Sequence, residues 1–220
     1  MSSDELAKQR LYQAIGRVAA ALGSAGRLQI LEFVAQGERS VDALASMTGL
    51  SVANTSKHLQ ALRQAGLVNP RKQGLRVYYA LAGDDVSLLL AALRGVAEHR
   101  AADVEKLLQD WLAHRDELEP VPAREVLKRA RNGLVTVLDV RPAEEYAAGH
   151  LPGAINVPID KLEGYLSKLP KRKEVIAYCR GPYCLMSFEA VAKLRRRGFK
   201  AKRLENGYPE WRAAGLPVER

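Results

Sequence analysis

Long apolar runs are missing from this sequence of 220 residues, because Arg, Lys, Asp or Gly interrupts each run within a few residues. A membrane-spanning helix needs about 20 consecutive apolar residues. The N-terminal ten residues are polar and of mixed charge, unlike a secretory signal peptide. Apolar residues still make up 47% of the chain, which is enough to form buried cores. We therefore expect a cytoplasmic globular protein without a membrane partner.

Cysteine and histidine are also scarce. The two cysteines, Cys179 and Cys184, lie in one short segment, whereas a secreted disulfide scaffold needs more cysteines spread more widely. This pairing favours a reducing compartment and reactive thiols. Two of the four histidines, His99 and His114, are isolated on a predicted helix, and a zinc site needs three or four ligands. We expect neither a metal nor a cofactor.

Acidic residues are absent between Ala43 and Gly83. The net charge of the chain is +9, but residues 1–117 contribute only +1 of it and residues 118–220 contribute +8. The local pattern is therefore more informative than the total. The acid-free stretch holds five basic residues, which are Lys57, Arg63, Arg71, Lys72 and Arg76. Such a stretch is typical of a surface that faces nucleic-acid phosphates.

The first half of the sequence has the apolar spacing of helices. We predict helices over residues 4–22, 25–36, 41–47 and 52–64, with Ser24, Ser40 and Ser51 as caps. A hairpin around Lys72-Gln73-Gly74 follows, and then a long helix over residues 84–115. A short helix, a turn at Gly49 and a second helix make a helix-turn-helix layout.

The second helix of this layout carries small polar residues that can reach DNA. Val52, Leu59 and Leu62 are predicted to face the core. The remaining side chains of this helix and the basic residues of the hairpin are the candidate contacts to bases and backbone. These candidates are Ser51, Asn54, Thr55, Ser56, Lys57 and His58 on the helix, and Arg71, Lys72 and Arg76 on the hairpin.

Glu119-Pro120-Val121-Pro122 interrupts the helical pattern, because two such close prolines cannot continue a helix. We predict one domain over residues 1–117, a linker over 118–121 and a second domain over 122–220. Strands predicted over residues 135–140, 175–179 and 201–204 alternate with helices in the second domain. This order is typical of an α/β sheet domain.

Cys179 ends a predicted buried strand, just before a predicted helix. Loop N–H groups at a helix N-terminus form a nest for an anion and favour the nucleophilic thiolate, and Arg180 adds positive charge. Two interpretations of Cys184 stay open. It can attack a persulfide on Cys179 and close a disulfide or polysulfide bridge, or it can serve as a small apolar residue at the helix start.

Several motifs of the first half resemble ArsR-type winged helix-turn-helix repressors. They are Gly26-Arg27-Leu28-Gln29-Ile30-Leu31, Ser56-Lys57-His58-Leu59, Ala65-Gly66-Leu67-Val68 and Val77-Tyr78-Tyr79. The resemblance covers about residues 11–100. It implies a homodimer formed through the first and last helices, which binds double-stranded operator DNA. It also implies repression that a chemical signal relieves.

Motifs of the second half resemble rhodaneses, from about residue 122 to residue 219. They are Asp139-Val140-Arg141, Glu145-Tyr146, the segment from Gly149 to Pro158, the Cys179 loop and Gly207-Tyr208-Pro209-Glu210-Trp211. The resemblance implies an α/β fold with a central parallel sheet and a catalytic Cys179 that holds sulfur as a persulfide. It implies a persulfide cradle formed by Arg180, Gly181, Tyr183, Cys184 and Leu185.

Two functions follow from these resemblances. The first is a repressor whose second domain senses or carries sulfane sulfur on Cys179, taken from thiosulfate, polysulfide or a low-molecular-weight persulfide. The alternative is a thiosulfate or persulfide sulfurtransferase in which the helix-turn-helix half serves dimerisation or targeting. Steady-state turnover distinguishes them, since a sensor does not need it.

Overall fold

The computed structural model describes residues 2–112 and 120–220. The contacts divide the chain into two compact units, Met1–Val86 and Ser87–Arg220. The first unit contains α1 (Ser3–Leu22), α2 (Ala25–Ala35), β1 (Arg39–Ser40), α3 (Val41–Thr48), α4 (Val52–Gln64), β2 (Val68–Gln73) and β3 (Arg76–Leu81). The predicted linker lies partly in residues 113–119, outside the described part, so the boundary at 118–121 stays a prediction.

The first unit packs its helices around fully buried leucines and isoleucine, and β3 lies between β1 and β2 in an antiparallel sheet. Two predicted caps are confirmed: the Ser40 and Ser51 hydroxyls each accept a hydrogen bond of 3.2 Å from the backbone N–H three residues later. Ser24 occupies the cap position of α2 without a side-chain hydrogen bond. β2 and β3 form the predicted hairpin around Lys72-Gln73-Gly74, and β1 was not predicted.

The prediction of one continuous helix over residues 84–115 is wrong. This region is divided into α5 (Asp84–Arg100) and α6 (Ala102–Leu112), which are separated at Ala101. α5 begins in the first unit and continues into the second. Its last predicted residues, 113–115, and His114 lie outside the described residues.

The remaining elements of the second unit form a parallel α/β domain. They are α7 (Ala123–Arg131), β4 (Val135–Asp139), α8 (Ala143–Ala148), β5 (Ile155–Asn156), α9 (Leu162–Tyr165), β6 (Glu174–Tyr178), α10 (Leu185–Arg196), β7 (Ala201–Arg203) and α11 (Tyr208–Ala213). The strand order is β5-β4-β6-β7, and all three pairings are parallel. The predicted fold class, a winged helix-turn-helix domain followed by an α/β domain with a central parallel sheet, is confirmed.

Alternation along β6 decides which way Cys179 faces. Successive strand residues point to opposite faces of a sheet. Val175, Ala177 and Cys179 accordingly lie in one buried apolar cluster, while Ile176 and Tyr178 lie in another. The Cys179 side chain therefore points toward the cluster that also contains residues of α10.

Among the described residues, no single helix is long and apolar enough to cross a membrane. α1 and α2 reach the required length and composition only as a pair, and the two helices meet at a bend of 87°.

Candidate functional site

The helix-turn-helix consists of α3, a turn and α4. Gly49 ends α3 with φ of 70°, in the left-handed region that favours glycine, and so turns the chain toward α4. Ser51 caps α4, and it is exposed together with Asn54 and Lys57. Ser56 is half-buried on the same helix. These four candidate DNA contacts therefore keep accessible side chains at the cap and in the first two turns of α4.

Thr55 is a correction to the predicted DNA contacts. Its side chain is 0% exposed, and its hydroxyl donates a hydrogen bond of 3.0 Å to the carbonyl oxygen of Ser51. Thr55 lies four residues before Leu59, so helical periodicity places both on the buried face. Val52 was predicted to face the core and is instead 50% exposed, at the first residue of α4.

His58 is half-buried rather than fully presented to solvent. Its Nε2 atom lies 3.1 Å from the position where a side chain on Gly26 would begin. The imidazole thus packs against α2 within the first unit, and the absence of a side chain at Gly26 leaves room for it. This packing favours a local structural role for the ring.

The three predicted basic contacts on the hairpin are all exposed, but they are not equivalent. Arg71 donates from Nε to one oxygen of Glu38 at 2.8 Å and from a terminal nitrogen to the other oxygen at 2.5 Å. This hydrogen bond lowers the pKa of Glu38, so the pair stays charged at neutral pH. Within the described part of the chain, Lys72 and Arg76 form no ion pair.

Cys179 follows β6 and is only 2% exposed, whereas Cys184 is partly buried at the cap position of α10. The two sulfur atoms are joined in a disulfide, with the Cα atoms 6.2 Å apart. That separation lies within the usual range for disulfides. The predicted reactive cysteine and its predicted redox partner are therefore in contact, with the cysteine loop (residues 179–184) closed between them.

Backbone hydrogen bonds decide which amides of the cysteine loop are available to an anion. The N–H of Cys184 donates to the Gly181 carbonyl oxygen at 3.1 Å, and Pro182 has no N–H. The N–H groups of Gly181 and Tyr183 have no acceptor among the described residues. Two of the predicted cradle residues therefore keep free donors in this closed form of the loop.

Arg180 does not add uncompensated charge to the loop, in contrast to the prediction. Its guanidinium donates to both carboxylate oxygens of Glu145, with Nε 3.0 Å from each oxygen and a terminal nitrogen 2.7 Å from one. The Glu145 side chain is fully buried, so the pair is a buried bidentate ion pair. Arg180 therefore fixes the loop to α8.

A second buried ion pair supports the end of β4 beside the cysteine loop. Arg141 binds Asp139 through its backbone N–H at 2.9 Å and through its guanidinium at 2.6 Å, and it also donates to the Gly149 carbonyl oxygen. The phenol of Tyr178 donates to the same Asp139. Burial and the neighbouring Asp139 carboxylate both raise the pKa of Tyr178, so this phenol stays protonated.

The start of α11 and its cap residue, Gly207, pack directly on the cysteine loop. The N–H of Tyr208 donates to the Cys179 carbonyl oxygen at 3.2 Å. A Cβ atom on Gly207 would lie 2.3 Å from the Arg180 carbonyl carbon and oxygen and 2.4 Å from the Gly181 nitrogen. Only glycine permits this approach of two backbones.

Helix α5 contacts the cysteine loop and α11 within the second unit. The phenol of Tyr183 donates to Glu98, and Arg94 forms an ion pair with Glu210. The ring of Trp111 on α6 meets the Tyr183 ring edge-on, with centroids 6.3 Å apart. Burial, followed by the hydrogen bond to Glu98, raises the pKa of Tyr183. No sequence motif indicated these contacts, which join residues 85 and 116 positions apart.

Among the described residues, no group of three or more His, Cys, Asp or Glu side chains is arranged to hold a metal ion.

The two halves of the chain match two family models. The model for bacterial regulatory proteins of the ArsR family matches residues 24–70, and the model for the rhodanese-like domain matches residues 122–214. The HTH-type transcriptional regulator Rv0324 of Mycobacterium tuberculosis is 46% identical over 212 residues, which are 96% of this chain and 93% of that protein. The chain is an ArsR-family transcriptional regulator with a rhodanese-like domain.

Each half of the regulator also has relatives of its own. The HTH-type transcriptional regulator Rv0081 of Mycobacterium tuberculosis is 35% identical over 104 residues, which cover 47% of this chain and 91% of that protein. A sulfurtransferase of Allochromatium vinosum is 32% identical over 85 residues, which cover 38% of this chain and 78% of that protein. The first aligns with half of this chain and the second with little more than a third, so neither represents the combination of the two domains.

Proposed function

We propose that this regulator is a cytoplasmic homodimeric repressor that leaves its operator when Cys179 takes up sulfane sulfur. One observation carries the proposal: Cys179 and Cys184 are joined within a loop whose Tyr183 also binds Glu98 of α5. A change in the sulfur chemistry of the loop therefore has a physical connection to the helix that follows the DNA-binding hairpin.

The exposed polar face of α4 and the hairpin support operator binding. Ser51, Asn54 and Lys57 are accessible on α4, and asparagine can pair with adenine in the major groove. Lys72 and Arg76 on the hairpin are available for backbone phosphates. A dimer presents two such helices to two half-sites of a palindromic operator.

Exposed apolar side chains support the homodimer. On α1, Leu11, Tyr12 and Ile15 are each more than half exposed. On α5, Leu88 and Val96 are also more than half exposed. Leu11 and Ile15 lie four residues apart on one face of α1, and an exposed apolar stripe of this kind is unusual for a monomer. A second copy of the chain is the partner that would cover these two helices.

The sulfur chemistry starts at a reduced Cys179. Its thiolate attacks the sulfane sulfur of the donor; with thiosulfate, the sulfur–sulfur bond breaks and sulfite leaves. The product is a persulfide on Cys179, next to the free amides of Gly181 and Tyr183.

Cys184 then attacks the Cys179 Sγ atom of the persulfide. The bond from this atom to the sulfane sulfur breaks, hydrosulfide leaves, and the Cys179–Cys184 disulfide remains. The two cysteine sulfurs are oxidised and the sulfane sulfur is reduced, so no further oxidant is needed. The proposed product therefore has the same Cys179–Cys184 bond that closes the loop in the structure.

Coupling to DNA runs through α5. Closing the loop fixes the position of Tyr183, which is adjacent to Cys184, and Tyr183 binds Glu98 on α5. α5 begins at Asp84, three residues after β3 of the hairpin ends. A shift of α5 in response to the loop therefore reaches the hairpin along a short stretch of chain. Allosteric coupling of this kind amounts to about 1–3 kcal/mol.

Mass spectrometry of the full-length protein after polysulfide treatment tests the sulfur steps. The reduced wild type should form the Cys179–Cys184 disulfide and release hydrosulfide. The Cys184→Ser variant should retain a persulfide on Cys179. A wild type that accumulates persulfide with Cys184 free would reject the bridge, and an unmodified Cys179 would reject the sulfur chemistry altogether.

The alternative function, a sulfurtransferase, is favoured by the likeness of residues 122–214 to the rhodanese-like domain. An enzyme must pass the persulfide sulfur to an acceptor before Cys184 discharges it. Steady-state formation of thiocyanate from thiosulfate and cyanide discriminates between the two. Sustained turnover supports the enzyme, and a single turnover that stops at the disulfide supports the sensor.

A further inference from the structure

Basic side chains collect at the amino-terminal edge of the parallel sheet in the second unit. Because β4, β6 and β7 are parallel, their amino ends meet at one edge of the sheet. α7 leads into β4 and α10 leads into β7, so both helices end at the same edge. Exposed cations occupy these two helix ends and the segments just before β6 and β7. We call this surface the basic edge, and it consists of Lys128, Arg131, Arg172, Lys173, Arg196 and Lys200.

Contacts between neighbouring segments show that the basic edge is one continuous surface. The Lys173 Nζ atom lies 3.9 Å from the position of a Cβ atom on Gly133, two residues after α7 ends. The N–H of Val175 donates to the Lys200 carbonyl oxygen at 2.8 Å. The surface therefore continues from the end of α7, across the start of β6, to the start of β7.

The carboxylates that contact this edge do not neutralise it. Glu174 is bound to Arg129, and Glu163 is bound to Arg197. Within the described ranges, the six cations of the basic edge form no ion pair. Their positive charge is therefore available to a negatively charged partner.

Two ordinary roles do not account for the whole basic edge. Cations in the last turn of a helix stabilise its free carbonyl groups, but only Lys128, Arg131 and Arg196 lie in such turns. Attraction of small anions to the sulfur site is the second role. The extended chain from Lys173 to Cys179 spans about 20 Å, so the two lie at opposite edges of the sheet. That distance is well above the Debye length of about 8 Å at physiological salt.

We propose that the basic edge binds the phosphates of double-stranded DNA beside the operator, without reading the sequence. Residues 1–117 carry a net charge of only +1, whereas residues 118–220 carry +8. The second domain thus holds most of the charge that attracts a polyanion. Binding of the first unit to DNA raises the effective concentration of the basic edge near the flanking phosphates. The inference rests on DNA binding by the first unit and does not involve the sulfur switch.

Binding of the full-length protein to two DNA fragments tests the proposal. One fragment is the operator alone, and the other extends it by about 15 base pairs, or about 50 Å, on each side. The double variant Lys173→Gln with Lys200→Gln removes two charges of the basic edge. We expect it to bind the extended fragment at least about fivefold more weakly than the wild type, with a slope of log K against log salt concentration that is smaller by up to about 1.8. Its affinity for the operator alone should equal that of the wild type.

Two results with these fragments would overturn the proposal. If the variant and the wild type bind the extended fragment equally, the basic edge does not contact DNA. If the variant loses the same affinity on both fragments, the contacts do not lie in the flanking DNA.

A matched double variant, Arg124→Gln with Lys161→Gln, removes two exposed charges at the opposite edge of the sheet. Arg124 lies in the first turn of α7, and Lys161 follows Ile159, whose N–H donates to the Val140 carbonyl oxygen beyond the end of β4. Both double variants change the net charge by the same amount, so the matched variant should bind the extended fragment like the wild type. An equal loss in the two double variants would assign the effect to net charge and contradict the proposal.

A duplex of random sequence and an RNA strand, both as long as the extended fragment, separate the kinds of nucleic acid. Phosphate contacts do not depend on sequence, so the edge variant should also bind the random duplex more weakly, whether or not the operator is recognised. A loss confined to the RNA would make the basic edge an RNA-binding surface and overturn the proposal. Failure of the proposed function would appear separately, as absence of persulfide on Cys179 or as unchanged operator affinity after polysulfide treatment.

Discussion

The phenol of Tyr183 donates a hydrogen bond to the carboxylate of Glu98, which joins the cysteine loop to α5 across 85 positions of sequence. Tyr183 directly precedes Cys184, so the residue that contacts α5 is adjacent in sequence to one of the two cysteines of the disulfide. Burial and this hydrogen bond raise the pKa of Tyr183, and the phenol therefore remains a donor at neutral pH.

Removing this hydroxyl should uncouple the loop from DNA binding. In Tyr183→Phe, the ratio of operator affinities between the dithiol and disulfide forms should fall by at least about fivefold, because the contact with Glu98 is lost. Fluorescence anisotropy with labelled operator DNA measures both affinities. Tyr165→Phe removes a hydroxyl elsewhere in the same unit and should keep the wild-type ratio. An unchanged ratio in Tyr183→Phe would exclude this route of coupling.

The interaction between Arg94 and Glu210 should be measurable by a double-mutant cycle on the free energy of unfolding. Arg94→Glu and Glu210→Arg should each lower the free energy of unfolding in urea, since each leaves like charges together in a partly buried place. The double variant should recover about 0.5–3 kcal/mol relative to the sum of the single effects. Recovery should be incomplete, because Glu210 also accepts from the Gly207 N–H at 3.0 Å. Strict additivity would contradict the pair.

Gly207→Ala should displace the cysteine loop. Its Cβ atom would overlap the backbone of Arg180 and Gly181, and overpacking of this kind costs about 1–3 kcal/mol. We expect a lower free energy of unfolding and a loss of persulfide formation on Cys179. Mass spectrometry measures the persulfide. Gly164→Ala places its Cβ atom in open space within α9 and should leave both properties unchanged. Normal sulfur uptake by Gly207→Ala would show that the loop does not depend on this packing.

The basic residues of the hairpin should contribute unequally to the salt dependence of DNA binding. Each phosphate contact adds about −0.9 to the slope of log K against log salt concentration. Lys72→Gln should reduce the slope by nearly this amount. Arg71→Gln should reduce it by less, because Glu38 already neutralises the Arg71 charge. Equal losses in the two variants would mean that the ion pair opens on DNA.

Local sequence signals predicted the parts of the fold that depend on neighbours in the chain. The serine caps of α3 and α4 follow from a hydroxyl placed three residues before a backbone donor. The position of Cys179 at a strand end follows from an apolar run that stops at a turn. Helical periodicity could also have placed Thr55 on the buried face, since it lies four residues before Leu59.

The sequence alone could not predict which residues from distant segments of the chain form contacts. Glu38 and Arg71 are 33 positions apart, and the spacing of charges alone does not reveal which exposed arginine is paired. The same holds for Glu98 and Tyr183, whose contact depends on how α5 packs. The break at Ala101 has no proline or glycine to signal it, and nothing in the structure explains its position.

Operator affinity before and after polysulfide treatment tests whether sulfur uptake at Cys179 releases the protein from DNA. Full-length wild type and Cys179→Ser are titrated against a DNA fragment from the protein's own promoter at one salt concentration. We predict that polysulfide weakens binding by the wild type by about 5- to 150-fold and leaves Cys179→Ser unchanged. Equal affinity of the treated and untreated wild type, or the same release from Cys179→Ser, would contradict the account.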